Sequence, residues 1–294
     1  MFPKSVFLLN PTAGGRGCGS LRADLLKAFG PIDLVETRSR EDVMERARKA
    51  LAGGTEMVVA VGGDGTVNAA VQGFFTAGKA VRADAMLGVI GCGTGSDYVR
   101  SLGFARSWRE YLATPRPNLV DVGGLEAGGA EERFVNMASF GMSAVAVAGK
   151  NRAPFWQPKV LRYLIPTVAA AVQEKPQPVR VTLDGRLIER PLLALLIAKG
   201  RYAGGGMRLS HGAMDDGFFT VTLVGALAPL TVLANLHRIY NGRLGAIPGI
   251  EQVQARRVSV ETAVPWPYEI DGEVRAPVTR ADVSLLPRSL SVAT

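Results

Sequence analysis

The residues best suited to chemistry form a short glycine-rich stretch in the first quarter of the chain. Gly62, Gly63 and Gly65 surround Asp64, and Thr66 follows them. Glycines lack a Cβ, so the backbone can approach a ligand closely and its N–H groups can bind phosphate oxygens. A carboxylate beside phosphates would repel them unless a metal ion or a water molecule lies between. The stretch therefore indicates a site for a metal-bound nucleotide.

Two other glycine-rich stretches follow predicted strands in the same way. Residues 57–61 predict a buried strand before the first stretch, and the apolar runs 6–9 and 86–90 predict strands before residues 10–17 and 91–97. The carboxyl ends of parallel strands lie at one edge of a sheet, so the three loops should converge there. Helical periodicity between the strands completes a βαβαβ pattern. We therefore predict a doubly wound α/β nucleotide-binding domain.

The spacing of these glycines excludes two familiar nucleotide motifs. No Gly-x-Gly-x-x-Gly follows the first strand, and neither Gly-Lys-Ser nor Gly-Lys-Thr occurs.

The net charge of +8 favours anionic partners such as nucleotides and acidic lipid headgroups. The basic residues are scattered without a nucleic-acid motif, so we expect no nucleic-acid partner.

The apolar stretches and the N-terminal residues indicate the cellular compartment. No apolar stretch approaches the roughly 20 residues that cross a bilayer, and residues 1–4 lead directly into a strand without a signal sequence. We therefore expect a cytoplasmic protein. Cys18 and Cys92 lie far apart in the sequence, without a Cys-x-x-Cys motif or a neighbouring histidine, so we expect neither a disulfide nor a zinc site.

From about residue 121 the pattern changes to strands in succession. Turn signals at Asp184-Gly185, Asp216-Gly217 and Asp271-Gly272 separate short apolar runs, which predicts a β-rich second domain. On this evidence, the last two predicted strands fit the first domain as well as the second. We also expect helical inserts over residues 143–148, 160–172 and 229–241.

Six motifs occur in a fixed order over nearly the whole chain: Asn10-Pro11-x-Ala13-Gly14, Gly62-Gly63-Asp64-Gly65-Thr66-Val67-Asn68, Gly93-Thr94-Gly95-Ser96-Asp97, Phe134-Val135-Asn136, Asp216-Gly217 and Asp271-Gly272-Glu273. Together they resemble the bacterial diacylglycerol kinase family of soluble lipid kinases. The resemblance implies a fold shared with NAD kinases and sphingosine kinases. It comprises an N-terminal α/β domain for ATP, a C-terminal β-sandwich domain for the lipid, and an active site in the cleft between them.

The resemblance also implies domain bounds and nucleotide contacts. The last strand returns to the first domain, which then comprises residues 1–120 and about 283–294, and residues 121–282 form the lipid-substrate domain. The residues that the resemblance places around ATP are Asn10, Pro11, Thr12, Ala13, Gly14, Thr37, Gly62, Gly63, Asp64, Gly65, Thr66, Val67, Asn68, Gly93 and Thr94.

Acidic residues complete the implied site. Asp271-Gly272-Glu273 matches the family's catalytic-base segment, with Glu273 favoured over Asp271 as the base and a coupled pair left open. Asp64, Asp97 and Asp121 match positions that hold the active-site Mg²⁺ through water. A structural Mg²⁺ is implied at Asp216 and the carbonyls of Ala213 and Phe218.

The predicted function is therefore an ATP- and Mg²⁺-dependent lipid kinase acting on diacylglycerol or a related membrane lipid. Two alternatives stay open: a kinase of a soluble substrate such as NAD, and a non-catalytic nucleotide-binding regulator. Residues 150–159, with Arg152, Phe155 and Trp156, suggest peripheral contact with the anionic inner membrane surface. A homodimer also stays open. Gly91-Cys92, Ser96 and Ser143 depart from the usual family residues, which bears on substrate identity.

Overall fold

A computed structural model describes residues 3–14, 18–92, 96–104, 106–154 and 157–294. The chain divides into two compact units. The first unit comprises Met1–Val122 and Pro287–Thr294, and the second comprises Gly123–Leu286. The boundaries predicted from the sequence fall at 120/121 and 282/283, within four residues of this division.

The first unit is built on a parallel sheet. From one edge to the other, its strands are the C-terminal end of β18 (Glu273–Ala293), then β6, β3, β1 and β2. The central strand β3 is buried on both faces, because helices cover an all-parallel sheet on either side. This burial accounts for its uninterrupted apolar sequence. The strands are β1 (Ser5–Leu9), β2 (Asp33–Glu36), β3 (Met57–Gly62), β4 (Phe75–Thr76), β5 (Lys79–Ala80) and β6 (Met86–Gly91).

Among the helices of the first unit, α2 (Arg40–Ala52) begins at the cap that the sequence predicts, whereas Ser20 makes no capping hydrogen bond at the start of α1 (Leu21–Phe29). In α2 the Ser39 hydroxyl accepts the Asp42 N–H at 3.2 Å, and the buried residues Val43, Ala47 and Leu51 recur every four positions. One apolar face is thereby turned to the sheet. The helices are α1 (Leu21–Phe29), α2 (Arg40–Ala52), α3 (Asp64–Phe74), α4 (Asp97–Leu102) and α5 (Trp108–Ala113).

The second unit is an antiparallel β structure whose main strand order is β16, β15, β12, β9, β17 and β18. Stacked rings fill its core: Phe140 lies 6.0 Å from Trp266 and 5.6 Å from Tyr268, centroid to centroid. Two strands, β7 and β18, continue from one unit into the other. The strands are β7 (Pro117–Ala127), β8 (Ala130–Phe134), β9 (Met137–Gly141), β10 (Gln177–Leu183), β11 (Arg186–Leu192), β12 (Ala194–Ala198), β13 (Tyr202–Ala203), β14 (Met207–Arg208), β15 (Phe219–Val224), β16 (Ile250–Ala255), β17 (Arg257–Ile270) and β18 (Glu273–Ala293).

Two expectations about these elements need correction. The predicted helix over residues 229–241 is two short helices that meet at Asn235, which begins the second. The two predicted final strands are one strand, β18. Pro287 and the positive φ of Arg288, 46°, interrupt its apolar alternation without ending it. The helices are α6 (Met142–Arg152), α7 (Lys159–Gln173), α8 (Pro229–Ala234) and α9 (Leu236–Tyr240).

None of the helices within the described ranges has both the length and the apolar character required to span a membrane.

Candidate functional site

The glycine loop after β3 is shaped by its close approach to Thr66. A Cβ on Gly62 would lie 2.4 Å from Thr66 Oγ1, so no larger residue fits there without displacement. The Gly63 carbonyl accepts the Thr66 and Val67 N–H groups at 2.9 and 3.1 Å, which starts α3 directly behind the loop. The N-terminus of an eleven-residue helix therefore faces the ligand side of this loop.

Asn10 joins the first loop to the second. Its Nδ2 donates to Thr66 Oγ1 at 3.1 Å, and its Oδ1 accepts both the N–H and the hydroxyl of Thr12 at 3.1 and 2.9 Å. The side chain thus fixes the turn that contains Pro11 and holds it against the start of α3. Thr37 lies nearby in the sheet, because its N–H and its hydroxyl both donate to the Leu9 carbonyl.

Asp64 joins the second loop to the third. Its carboxylate accepts the backbone N–H groups of Asp97 and Tyr98 at 3.1 and 3.0 Å. A carboxylate at this position satisfies otherwise unpaired donors at the start of α4. Residues 93–95 of the third loop, with the predicted contacts Gly93 and Thr94, lie outside the described residues.

Cys18 and Cys92 form a disulfide, with Cα atoms 6.0 Å apart. The expectation that they stay unpaired is wrong. The two residues are 74 positions apart, but β1 and β6 both flank β3, so the loops behind them meet at one sheet edge. Gly14 is part of the same contact: its φ is +81°, and a Cβ there would lie 2.3 Å from the Cys92 carbonyl oxygen. Strand order, rather than cysteine spacing, was the informative signal.

Asn68 and Val67 lie on the first turns of α3 and are both buried. Asn68 is fully buried, and its Oδ1 accepts Arg40 Nη2 at 2.7 Å and Gln72 Nε2 at 3.3 Å. Val67 belongs to the buried core. Asn68 thereby connects α3 to α2 through its side chain, and the nucleotide contacts predicted for Val67 and Asn68 stay predictions.

The three acids predicted to hold Mg²⁺ through water each make a protein contact. Asp97 accepts Arg100 Nη1 at 3.0 Å, and the fully buried Asp121 accepts the Arg288 N–H at 2.9 Å. Across the described part of the chain, no three acidic, histidine or cysteine side chains form a direct metal-ligand cluster. Asp64 is half-exposed and retains acceptor sites beyond its two contacts, since an ionised carboxylate offers about four. A water-mediated role is chemically compatible with it.

In the second unit, the Asp271 carboxylate is built into the backbone. It accepts the N–H groups of Val135, Asn136 and Met137 at 2.9, 2.9 and 2.8 Å, and its own φ is +47°. This contact explains why Phe134-Val135-Asn136 and Asp271-Gly272-Glu273 occur together, since the side chain of one anchors the other. Asp271 is therefore engaged in fixing the turn.

Glu273, two residues further on, has a free carboxylate. It is half-exposed, no hydrogen bond or ion pair to it is found among the described residues, and the nearby Arg275 guanidinium is hydrogen-bonded to Glu132. A proton acceptor must be able to reach a substrate hydroxyl, which a carboxylate already bound to three backbone N–H groups does poorly. The geometry thus separates the two acids into an anchoring one and an available one.

Glu269 is a buried acid that the sequence reasoning missed. Its side chain is fully buried, Ser139 Oγ donates to its Oε1 at 2.6 Å, and the Gly272 N–H donates to its Oε2 at 2.7 Å. Burial raises the pKa of Glu269 to about 7, against the opposing effect of these two hydrogen bonds. The available signal was a glutamate between apolar residues of a predicted strand, just before the Asp-Gly turn.

The turn at Asp216 contains a cation supplied by the chain. Lys199 Nζ, on a side chain only 1% exposed, donates to Asp216 Oδ1 at 2.6 Å and to the Phe218 carbonyl at 3.1 Å. These atoms are two of the three ligands predicted for a structural Mg²⁺, the other being the Ala213 carbonyl. Because an ammonium ion already takes this position, the residues do not fit a divalent cation there.

Two family models match the chain along most of its length. The diacylglycerol kinase catalytic domain matches residues 4–121, and the YegS C-terminal NAD kinase beta sandwich-like domain matches residues 136–294. A diacylglycerol kinase of Mycobacterium tuberculosis is 27% identical over 270 residues, which are 89% of this chain and 84% of that protein. A "Probable lipid kinase YegS-like" of Chromohalobacter salexigens is 29% identical over 240 residues, 79% of this chain and 74% of that protein.

Solved structures show the same fold. A diacylglycerol kinase structure from Bacillus anthracis str. Sterne has a TM-score of 0.71 at 19% identity, covering 99% of this chain and 96% of that one. Another structure from the same organism has a TM-score of 0.77 at 22% identity, covering 99% and 97%.

An α/β unit with linked glycine loops and a β unit with an acidic hairpin turn define the class: a kinase with a catalytic α/β domain and a β-sandwich-like domain. Within that class, the chain belongs to the family of diacylglycerol kinases and YegS-like lipid kinases. The resemblance and the fold class predicted from the sequence are confirmed.

Proposed function

We propose that this protein transfers the γ-phosphoryl group of ATP, with Mg²⁺, to the hydroxyl group of diacylglycerol or a related membrane lipid. The observation that carries the proposal is the joining of the loops behind β1, β3 and β6 by the side chains of Asn10 and Asp64. Phosphoryl transfer requires little covalent chemistry from the protein and depends on positioning and charge stabilisation. Loops joined by these hydrogen bonds provide the positioning.

Each part of the α/β unit has a role in this reaction. The backbone of Gly63 and Gly65, with the N-terminus of α3, binds phosphate oxygens. Asp64, Asp97 and Asp121 are the residues that would hold Mg²⁺ through water, and the metal would supply neutralisation of phosphate charge. The other nucleotide contacts predicted from the sequence stay predictions.

Glu273 accepts the proton of the lipid hydroxyl group as that oxygen attacks the γ-phosphorus. The O–P bond to the lipid forms, the bond to the ADP oxygen breaks, and the proton moves to the Glu273 carboxylate. Asp271 keeps the turn in place through its three backbone contacts. The division of roles is supported by the freedom of one carboxylate and the engagement of the other.

We also propose that helix α7 rests on the anionic surface of the membrane. Leu161, Ile165 and Val172 are 41, 53 and 65% exposed and share one face of this helix, since their spacing follows the helical repeat. Of the residues predicted to contact the membrane, Arg152 at the end of α6 is also exposed, and Phe155 and Trp156 lie outside the described residues. Apolar side chains beside basic ones suit the headgroup boundary of a bilayer.

Incubation with γ-labelled ATP, Mg²⁺, diacylglycerol vesicles and NAD tests the reaction. We expect labelled phosphatidic acid from the wild type and none from Glu273→Gln. Label on NAD instead would favour the soluble-substrate alternative, and label on neither would favour a nucleotide-binding regulator. For the membrane contact, Ile165→Glu should reduce co-sedimentation with phosphatidylglycerol vesicles. The matched control Leu187→Glu, at a 50% exposed leucine of β11, should leave it unchanged.

A further inference from the structure

Glu269 lies at a point where three strands meet the Asp271-Gly272 turn. Glu269 pairs with Ser139 on strand β9 and with Val274 on strand β18. Both of its carboxylate oxygens are used, one by the Ser139 hydroxyl and the other by the Gly272 N–H. The second contact reaches the peptide between the anchoring acid Asp271 and the free acid Glu273.

Few charged groups act on this buried carboxylate. Its own turn contributes Asp271, which opposes ionisation, and helix α6 contributes Lys150, which favours it. The facing strand β9 contributes no titratable side chain. Desolvation raises the pKa of Glu269 to about 7, so both protonation states are populated near neutral pH.

The turn is held from three directions. Asp271 binds the backbone of residues 135–137, Asn151 Nδ2 donates to the Gly272 carbonyl at 3.2 Å, and Glu269 accepts the Gly272 N–H at 2.7 Å. The last of these contacts ends on a fully buried acid whose pKa is raised by desolvation. An ionised acceptor binds an N–H group more strongly than a neutral one. Ionisation of Glu269 therefore tightens the peptide from which Glu273 follows.

We propose that Glu269 is a positioning residue for the proton acceptor Glu273, holding the Gly272 peptide in the active orientation when its carboxylate is ionised. This inference rests on the proposed function of Glu273. Glu269 itself need not touch the substrate, because it acts through the turn. Because Glu269 acts only when ionised, the rate of phosphoryl transfer depends on pH through a residue of the β unit.

The test is the pH profile of kcat at saturating ATP and diacylglycerol. We expect the wild type to show a rising step near pH 7. Glu269→Gln keeps a neutral acceptor for the Gly272 N–H, so it should lack the step and stay roughly fivefold below the wild type at pH 8.5. The KM for ATP should not change. Ser139→Ala removes a hydrogen bond that favours ionisation, so its step should move to higher pH.

Asp282→Asn is the matched control. Ser259 Oγ donates to Asp282 Oδ1 at the same 2.6 Å, on the strand pair β17 and β18 but away from the turn. This variant should keep the wild-type profile. A Glu269→Gln enzyme that keeps the wild-type step would overturn the positioning role. So would a loss of activity that is fully explained by a loss of folded protein. Those results refute the positioning role alone. A wild type that phosphorylates no lipid would instead refute the proposed function, on which this role rests.

Discussion

The Asp64 carboxylate accepts the backbone N–H of Tyr98 at 3.0 Å across 34 residues of sequence. The acid of the central glycine loop therefore fixes the loop behind the neighbouring strand through hydrogen bonds within the protein itself. This contact gives Asp64 a structural role in addition to the charge that it would present to a hydrated metal ion. Substitution of Asp64 should accordingly affect stability and phosphoryl transfer at once.

Asp64→Ala should reduce phosphoryl transfer by at least about a hundredfold, since misplaced phosphate-binding groups lose positioning and metal binding together. It should also cost about 1–2 kcal/mol in the free energy of unfolding, because two N–H groups at the start of α4 lose their acceptor. Activity assays and urea unfolding measure these effects. Asp84→Asn, which alters a surface pair with Arg82, is the control and should change neither quantity measurably. An active, fully stable Asp64→Ala protein would contradict the assignment.

The α/β unit was largely predictable because its signals are local. Apolar runs, glycine turns and the Ser39 cap each specify a strand, a loop or a helix without knowledge of the rest of the chain. The contacts of the Asp271 carboxylate were not predictable in this way, because its three donors lie at least 134 residues away. The same limit applies to Cys18 and Cys92. Their pairing depends on strand order, which periodicity does not give.

The disulfide predicts a redox-dependent stability. It closes a loop across 74 residues, which in the chain-entropy model corresponds to about 4 kcal/mol. Reduction should therefore lower the midpoint of urea unfolding of the wild type. The Cys18→Ser/Cys92→Ser double variant should resemble the reduced wild type and show no response to reductant. Two freely labelled thiols in the non-reduced native protein would contradict the pairing.

The two acids of the Asp271 turn should separate cleanly by mutation. Asp271→Asn weakens a carboxylate that binds three backbone N–H groups, so it should lower the free energy of unfolding by about 2–3 kcal/mol. Glu273→Gln removes a free carboxylate and should change stability by less than about 0.5 kcal/mol while abolishing phosphoryl transfer. Urea unfolding and the labelled-ATP assay distinguish the two. Equal losses of stability in both variants would mean that Glu273 also anchors the turn.

Lys199 should make the Asp216 turn independent of Mg²⁺. In the absence of nucleotide, we expect the melting temperature of the wild type to be the same in EDTA and in Mg²⁺. Lys199→Ala leaves a partly buried carboxylate unpaired, which should cost about 2 kcal/mol, and Mg²⁺ should recover part of that loss by binding the freed oxygens. Arg180→Ala, in the exposed pair with Glu189, is the control and should show neither effect. A wild type stabilised by Mg²⁺ at this turn would exclude the replacement.

The ionisation of Glu269 should be visible in stability as well as in activity. Its pKa is raised from 4.5 to about 7 by burial, so between these values the folded chain keeps a proton that the unfolded chain has lost. The folded state then binds more protons, and its stability falls as pH rises from about 4.5 to 7 and levels off above, by roughly 3 kcal/mol in total. Glu269→Gln carries no proton in either state and should lack this decline. Urea unfolding of both proteins at pH 4.5 and pH 8 measures this decline. Relative to the wild type, the variant should be more stable at pH 8 than at pH 4.5. A difference in the free energy of unfolding that does not depend on pH would mean that the carboxyl group does not titrate in this window.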